Sequence, residues 1–402
     1  MIIGIAGPIG LNMLEYDFGD ATLPDRNVFP LPTHLVNSLL RRGHKVIVYT
    51  NSGSIDEPFV LEHDQLTVCV APTRPKPGRA FFDIEIEGLK KLMQQYPADV
   101  VHAFWTYEYA LASLKSGLPT IVGIHDVASR ILFTQFDIFR VVRWYMNCQA
   151  IRQSKYLAAN SAYTFHQLSK RTQAKTRIIN NFFSKEIEQA AQVPTVKQNH
   201  IVSVTMGFTK RKGIPLALHA FSKLRKQFPT LEYHLVGAEM EPGGEAQQYA
   251  RKNGLDDGIR YHGILPYDQL LKIVAEAKVF LHPSVEESFG MAPLEAMVLG
   301  TAVVGGQKSG FIPYLLDHGN VGLLCDIYSS ESMARAVRRL LVDETLMMEM
   351  TKRAQEFAFA NFSEEVIVQQ HLDFIKHVYE HQLQLLNQNG EVKAEEIGAL
   401  EA

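Results

Sequence analysis

Short β-branched runs alternate with helical patterns along this chain, and they do so in two separate series. That alternation admits few folds, because a strand followed by a crossover helix returns to a parallel neighbour and winds a mostly parallel sheet. In the first series Ile2 to Ala6, Lys45 to Thr50, Leu66 to Ala71, Val100 to Phe104, Thr120 to Ile124 and Tyr156 to Ala159 read as strands. Between the first two, His34 to Arg42 places apolar residues at Leu35, Leu39 and Leu40, and Gly43 stands where a helix stop is wanted. From Lys185 to His200 the period fades and the chain turns polar around Pro194, Lys197 and Gln198, which puts a linker there. The second series has strands at Ile201 to Thr205, Leu231 to Val236, Ile259 to His262, Val279 to His282, Ala302 to Val304 and Gly322 to Leu324, with helices opening at Ile214, Glu245, Tyr267, Ala292 and Ser330. The pattern from Leu346 to Leu385 is almost wholly helical, and the tail from Leu386 is polar. The chain therefore reads as α/β: a doubly wound unit over residues 1–190, a second over 198–360, and a helical segment, 361–402, that packs back on the first unit and ends in a frayed tail.

Composition agrees and excludes several classes. A length of 402 residues suits two domains, and 46% hydrophobic with 21% charged residues marks a folded protein. The 40 basic and 43 acidic side chains leave a net charge of −3, so no overall field recruits nucleic acid or anionic membrane, and only a local basic site is left open. Cys69, Cys148 and Cys325 lie far apart and form no CxxC pair, which argues against zinc fingers and disulfide frameworks and for a reducing cytosol. The N-terminus enters the run Ile2 to Ala6 without a basic region, and no apolar stretch approaches the roughly 18 residues of a spanning helix. A cytoplasmic protein is expected. The stretch Phe139 to Tyr156 is amphipathic, with Arg140, Arg143, Arg152, Lys155, Trp144 and Tyr145, so its membrane contact is at most peripheral, at the inner face. More often such a helix simply packs on its own sheet.

The most informative segment runs from His282 to Met297, HPSVEESFGMAPLEAM, after a strand and into a helix. The carboxyl end of a strand feeding a helix N-terminus is where open α/β sheets bind ligands, since free amides and the helix dipole favour negative charge there. Phe289, Gly290 and Met291 would present those amides, and Gly290 lets an anion approach the backbone. Glu287 stands in the loop and Glu295 about a turn into the helix. Carboxylates accept from hydroxyls, so the pair suits sugar hydroxyls at one end and ribose hydroxyls at the other. Two solvent-facing acids at a helix start would look the same in isolation.

The pattern E-x-F-G-x-x-x-x-E-A-M, carried by Glu287, Phe289, Gly290, Glu295, Ala296 and Met297 and preceded by Pro283-Ser284, resembles the retaining glycosyltransferases of family 4. Gly263-Ile264-Leu265-Pro266, Gly300 to Val304 and Gly322-Leu323-Leu324 extend the likeness over nearly all of the second half. The resemblance implies a GT-B architecture, two Rossmann-like domains facing a central cleft. It implies a nucleoside diphosphate sugar as co-substrate and no other cofactor, with Glu287 on the transferred sugar, Glu295 on the ribose and main chain near Tyr261 to Gly263 on the base. Phe289 to Met291 would hold the pyrophosphate, and Gly237 joins the donor-binding set. Lys212 of Lys210-Arg211-Lys212-Gly213 matches the family lysine, while the family arginine five residues earlier is Gly207 here. Either Lys210 or Arg211 replaces it or turnover is weak.

The first half matches less tightly. Gly4, Gly7 and Gly10 fit G-x-x-G-x-x-G, and the loop Gly7 to Gly10 is able to offer amides to a substrate; an ordinary turn fits as well. An acidic insert between Leu14 and Arg26, with Glu15, Asp17, Asp20 and Asp25, is a candidate acceptor lid. His125, at the end of its strand and followed by Asp126, resembles the family histidine that reaches the donor sugar. His102, in the neighbouring strand, is less distinctive. Asn160-Ser161 reads as a helix cap, and Ile179 to Phe182 resembles the family's strand-end asparagine segment.

The expected function is retaining transfer of a sugar to a hydroxyl acceptor, a saccharide or lipid-linked saccharide. No metal is required, because lysine and amides supply the positive field and no DxD-like motif stands at a strand end. The alternatives are a nucleotide-sugar epimerase of the same fold and a catalytically weak sugar-nucleotide-binding partner subunit. A nicotinamide dehydrogenase is disfavoured, since the strand Lys45 to Thr50 ends in Asn51 and not in a ribose-binding acid.

Overall fold

A computed structural model describes residues 1–24, 29–134 and 136–388. The chain divides into two compact units: Met1–Asn160, Thr164–Ile179 and the segment from Ile367 onward form the first, and Ser161–Tyr163 with Asn180–Val366 form the second.

The strands of the first unit are β1 (Ile2–Ala6), β2 (Lys45–Ser52), β3 (Phe59–Glu62), β4 (Leu66–Pro72), β5 (Val100–Ala103), β6 (Thr120–Ile124), β7 (Tyr156–Ala159) and β8 (Thr176–Ile178). Among the described residues they lie in the order β3-β4-β2-β1-β5-β6-β7-β8. All pairs are parallel except β3 with β4. Buried runs such as Ile3, Ile5, Val46, Val48, Val100 and Val101 are what a sheet covered on both faces demands. Two short edge strands, β3 and β8, escape the sequence reading because both are partly exposed and lack a full apolar period. Gly4 in β1 is required by packing: a Cβ there would meet Ala98, Tyr49 and Val101 at 3.0 Å.

The second unit holds β9 (His200–Val204), β10 (Glu232–Val236), β11 (Ile259–Gly263), β12 (Val279–His282), β13 (Ala302–Gly306) and β14 (Leu323–Cys325). They lie parallel in the order β11-β10-β9-β12-β13-β14, a Rossmann-like winding. Its order reverses between β9 and β12, and the carboxyl ends of those two strands are where such a winding places a ligand site. In the first sheet the same reversal falls between β1 and β5.

The linker expected over Lys185 to His200 is corrected. The chain passes from the first unit to the second at Ile179/Asn180, and Lys185–Ala191 is a helix whose Ile187 is buried beside Phe183 in the second core. Its polar face hid a single buried anchor. The helix Glu364–Gln388 leaves the second unit at its first turn; beyond Ile367 it buries Val368, Phe374, Ile375 and Val378 and sets His371 against His102, with ring centroids 4.9 Å apart. The tail residues 389–402 lie outside the described residues. Among the described residues no helix is long and apolar enough to cross a membrane.

Candidate functional site

The site of the second unit is assembled at its switch point from the loops after β9 and β12. After β9 the chain makes one tight turn, Lys210–Lys212, and enters the helix Ile214–Gln227 through Gly213. Gly213 has φ +71, and a Cβ on it would come 2.0 Å from the carbonyl oxygen of Pro283, so glycine alone lets this loop lie against the one after β12. The Val285 amide donates to the Arg211 carbonyl at 2.8 Å and fastens the two loops together. That stitching delivers Lys212 Nζ to Glu287 Oε1 at 2.8 Å.

Glu287 is held by its backbone as well. Its carbonyl accepts from the Phe311 amide at 2.9 Å, and Gly310 passes so close that a Cβ there would lie 2.1 Å from that oxygen. His282, the last residue of β12, brings Nε2 to 3.6 Å from the same carboxylate. Burial alone would raise the Glu287 carboxyl, but the adjoining His282 ring and the Lys212 ammonium outweigh it and hold the group well below the usual carboxylate range. Neighbouring loop residues are tied too: Tyr163 donates to Glu286, and Ser161 Oγ donates to the Ser288 carbonyl at 2.5 Å.

Gly290, at φ +101, turns the chain into the helix Met291–Val298. The amides of Phe289, Gly290 and Met291 donate to no backbone carbonyl among the described residues, as expected for a helix start. Phe289 is buried against Phe311 at 5.0 Å and anchors the loop, so of this trio it contributes backbone and packing. Asn181 Nδ2 lies 3.7 Å from Met291 Sδ, which sets the strand-end asparagine segment beside the same turn. Glu295, one turn on, is half-buried and accepts from the Tyr267 hydroxyl at 3.5 Å. Burial pushes its carboxyl up to about 7, against the lowering effect of that hydroxyl.

The remaining candidates of the second unit divide. Lys210 is exposed, whereas Arg211 sends Nη1 to the Glu286 carbonyl at 3.3 Å and keeps Nε buried without a partner among the described residues. Gly207 has φ +93, and the adjacent Phe208 amide donates to Glu239. Gly237 is a packing glycine: a Cβ would stand 1.7 Å from the Thr205 carbonyl oxygen, and its amide donates to Gly263 at 2.7 Å. Tyr261 spends its hydroxyl on Asp256 at 2.9 Å, leaving main chain as its contribution. His282, Tyr267, Gly310 and Glu239 were not singled out from sequence. Only His282 carried a signal, a polar residue closing an apolar strand.

In the first unit a cavity of about 410 Å³ opens at the switch point, lined by Pro8, Trp105, Tyr107, Asp126, Ile131 and Arg143 among others. Trp105 has φ +64, a left-handed conformation costly for a bulky residue and frequent at functional sites. The Tyr107 hydroxyl donates to Asp126 at 2.9 Å; burial raises the Asp126 carboxyl to about 6, opposed by that hydroxyl and by Arg143. Arg143 is paired with Glu108 and lies over the Phe82 and Tyr107 rings. His125 stacks on Phe104 at 4.9 Å and lies 5.2 Å from Trp105, at the end of β6.

Of the first-unit candidates, the glycine loop is corrected. The Gly7 amide donates to the Tyr49 carbonyl at 3.1 Å and the Gly10 amide to Thr33 Oγ1 at 2.9 Å, so the fold itself uses the amides that a substrate would need. His102 is buried between Phe104 and His371, away from the cavity. In the acidic insert Glu15 pairs with Arg41; Asp25 and Arg26 lie outside the described residues.

Helix-start amides left unpaired among the described residues, beside two carboxylates at a Rossmann switch point in a chain built of two such units, are the arrangement of a nucleotide-binding α/β protein. Comparison with known proteins narrows the class. The model of the glycosyl transferases group 1 matches residues 184–357, and that of glycosyltransferase family 4 matches residues 33–186. The chain belongs to the glycosyltransferases of this group 1 and family 4 type, enzymes that transfer a sugar from a nucleotide-sugar donor. N-acetyl-alpha-D-glucosaminyl L-malate synthase of Bacillus anthracis is 22% identical over 359 residues, 84% of this chain and 91% of the relative. D-inositol 3-phosphate glycosyltransferase of Corynebacterium jeikeium is 31% identical over 168 residues, 39% of this chain and 40% of that one. Among solved structures, sucrose-phosphate synthase of Thermosynechococcus elongatus superposes with a TM-score of 0.75 at 18% identity, over 94% of this chain and 99% of that one. Anabaena HepE in complex with UDP-glucose gives 0.69 at 18% identity, over 94% and 100%. The fold is shared with both.

Proposed function

We propose that the chain transfers a glycosyl group from a nucleoside diphosphate sugar to a hydroxyl of a saccharide or lipid-linked saccharide, with retention at the anomeric carbon and without a metal ion. The observation that carries this reading is the Lys212–Glu287 pair, set beside the first-turn amides of the helix Met291–Val298. A diphosphate seated on those amides offers the Lys212 ammonium a stronger partner than one carboxylate. Lysine, amides and helix dipole together then stabilise the charge that develops on the leaving group.

In this mechanism the bond from the anomeric carbon to the diphosphate oxygen breaks, and the acceptor oxygen bonds to that carbon on the same face. The acceptor's proton passes to the departing phosphate, so no side chain is assigned as base. Glu287, relieved of Lys212, orients the sugar and supports positive charge on its ring. Glu295 accepts from the ribose, and main chain from Tyr261 to Gly263 reads the base. Arg211, whose buried Nε lacks a partner among the described residues, stands in for the family arginine replaced by Gly207. The cavity of the first unit takes the acceptor, with Trp105 as an apolar face and Asp126 as a hydroxyl acceptor. His125 stands at the edge of that cavity's aromatic wall, beside Trp105.

The test is release of nucleoside diphosphate from uridine, guanosine and adenosine diphosphate sugars. Lys212→Ala should slow turnover by roughly a hundredfold or more while donor affinity changes less. Equal turnover in variant and parent removes the phosphate role. The positive φ of Gly207 favours one second reading, a sugar-nucleotide-binding subunit with weak catalysis. Arg211→Ala decides between them: a loss of at least roughly tenfold supports transfer, and donor binding without turnover in the parent supports the subunit.

A further inference from the structure

We propose that the outward face of the helix Ile138–Gln153, together with the turn Lys76 to Phe81 beside it, docks on the surface of an anionic phospholipid bilayer. A surface helix ordinarily buries an apolar stripe and turns a polar one outward. Here Val142, Met146 and Ala150 face the core, and the apolar stripe continues beyond them, through Ile138 and Tyr145 to Val141 and Trp144 on the outer side. Ile138 is 83% exposed, Tyr145 47% and Trp144 41%. The apolar stripe is wider than the core covers, and its outer part is left open. Phe81, 52% exposed, extends the patch and meets Tyr145 edge-on at 5.9 Å. Between them and the helices Asp83–Gln95 and Glu108–Ser116 runs a groove of about 660 Å³, with Ile86, Leu111 and Lys115 in its lining.

Charge identifies what covers this face. Its acids are spent within the chain, Asp83 on Arg74 at 2.7 Å and Asp137 on Arg140. Lys76 and Arg79, both exposed, and Lys115 have no carboxylate partner among the described residues. The face is therefore locally positive on a chain of net charge −3. A second copy of the chain would bring like charge against like, whereas anionic lipid supplies the opposite sign. Tryptophan and tyrosine at the rim are the residues that settle at the boundary of headgroup and acyl chain. Since no helix among the described residues spans a membrane, the contact is peripheral. It does not depend on the transfer reaction and is tested without it.

The experiment is co-sedimentation of the full chain with sucrose-loaded vesicles, three parts phosphatidylcholine to one of phosphatidylglycerol, against pure phosphatidylcholine. The parent should partition onto the anionic vesicles, with a blue shift in tryptophan emission that Trp144→Phe removes. Ile138→Glu with Trp144→Glu should lower partitioning at least tenfold. Lys76→Glu with Arg79→Glu should lower it at least roughly twenty-fivefold on anionic vesicles, about fivefold or more per charge, and leave the neutral vesicles unaffected. These side chains are exposed, and unchanged melting temperatures show that the variants are folded. Background sedimentation of the parent, or equal partitioning of parent and variants, overturns the proposal. So does a concentration-dependent dimer that the same variants abolish in the absence of lipid.

Discussion

Glu295 and Glu287 stand at the two ends of one loop and helix start, and their surroundings drive their carboxyls apart. Glu287 has Lys212 and His282 beside it and stays ionised. Glu295 has only burial and one hydroxyl and rises to about 7. The sign of the consequence follows from linkage. A carboxyl raised in the folded state holds its proton where the unfolded chain has lost it, so its contribution is complete below the ordinary value of 4.5 and is lost as pH rises through about 7. Glu295→Gln removes that dependence. The fall in Tm between about pH 5 and about pH 8 should shrink in the variant, by the equivalent of at most about 3 kcal/mol. Parallel melting profiles for the two proteins would show that Glu295 does not titrate there. If Glu295 accepts from the ribose as proposed, bound donor should counteract the shift, because those hydroxyls would stabilise the ionised carboxylate.

At the scale of elements the site depends on loops that only glycine permits. Gly213 needs both a left-handed backbone and room against Pro283. Gly117 also has positive φ, at +89, but nothing lies within 4 Å of a Cβ there. Gly117→Ala should therefore cost about 1 kcal/mol of backbone strain, and Gly213→Ala at least about 3, with loss of turnover because Lys212 moves from Glu287. Denaturant midpoints measure both; equal costs would mean that the two loops are not in contact.

Much of this architecture could be read in advance. The β12 loop and its helix carry their chemistry in adjacent residues, so Glu287, Gly290 and Glu295 were visible as a pattern. The clamp on Glu287 was not, because Gly310 and Phe311 reach it from beyond β13 and His282 acts across the strand end. Likewise Gly7 and Gly10 looked open in sequence, while their partners Tyr49 and Thr33 come from a distant strand and helix. The helix Lys185–Ala191 was missed because one buried isoleucine leaves almost no period.

At the scale of the whole molecule each unit has its own core, and the helix Glu364–Gln388 is the last element that the first unit needs. Ending the chain at Ser363 should strip Ile367, Phe374, Ile375 and Val378 from the first unit and lower its Tm, while leaving the β9 and β12 loops intact. A first unit that melts unchanged would show that this packing adds nothing. The proposed transfer requires that the second unit hold a nucleoside diphosphate through the helix start at Gly290 and the carboxylate at Glu295. Thermal shift of the parent and Glu295→Ala against uridine, guanosine and adenosine diphosphate sugars tests it. At least one donor should raise the parent's Tm, and the variant should need roughly ten- to a hundredfold more of it, the loss of about 1.5 to 3 kcal/mol. No shift with any donor, or the same shift at the same concentration in both proteins, would contradict it.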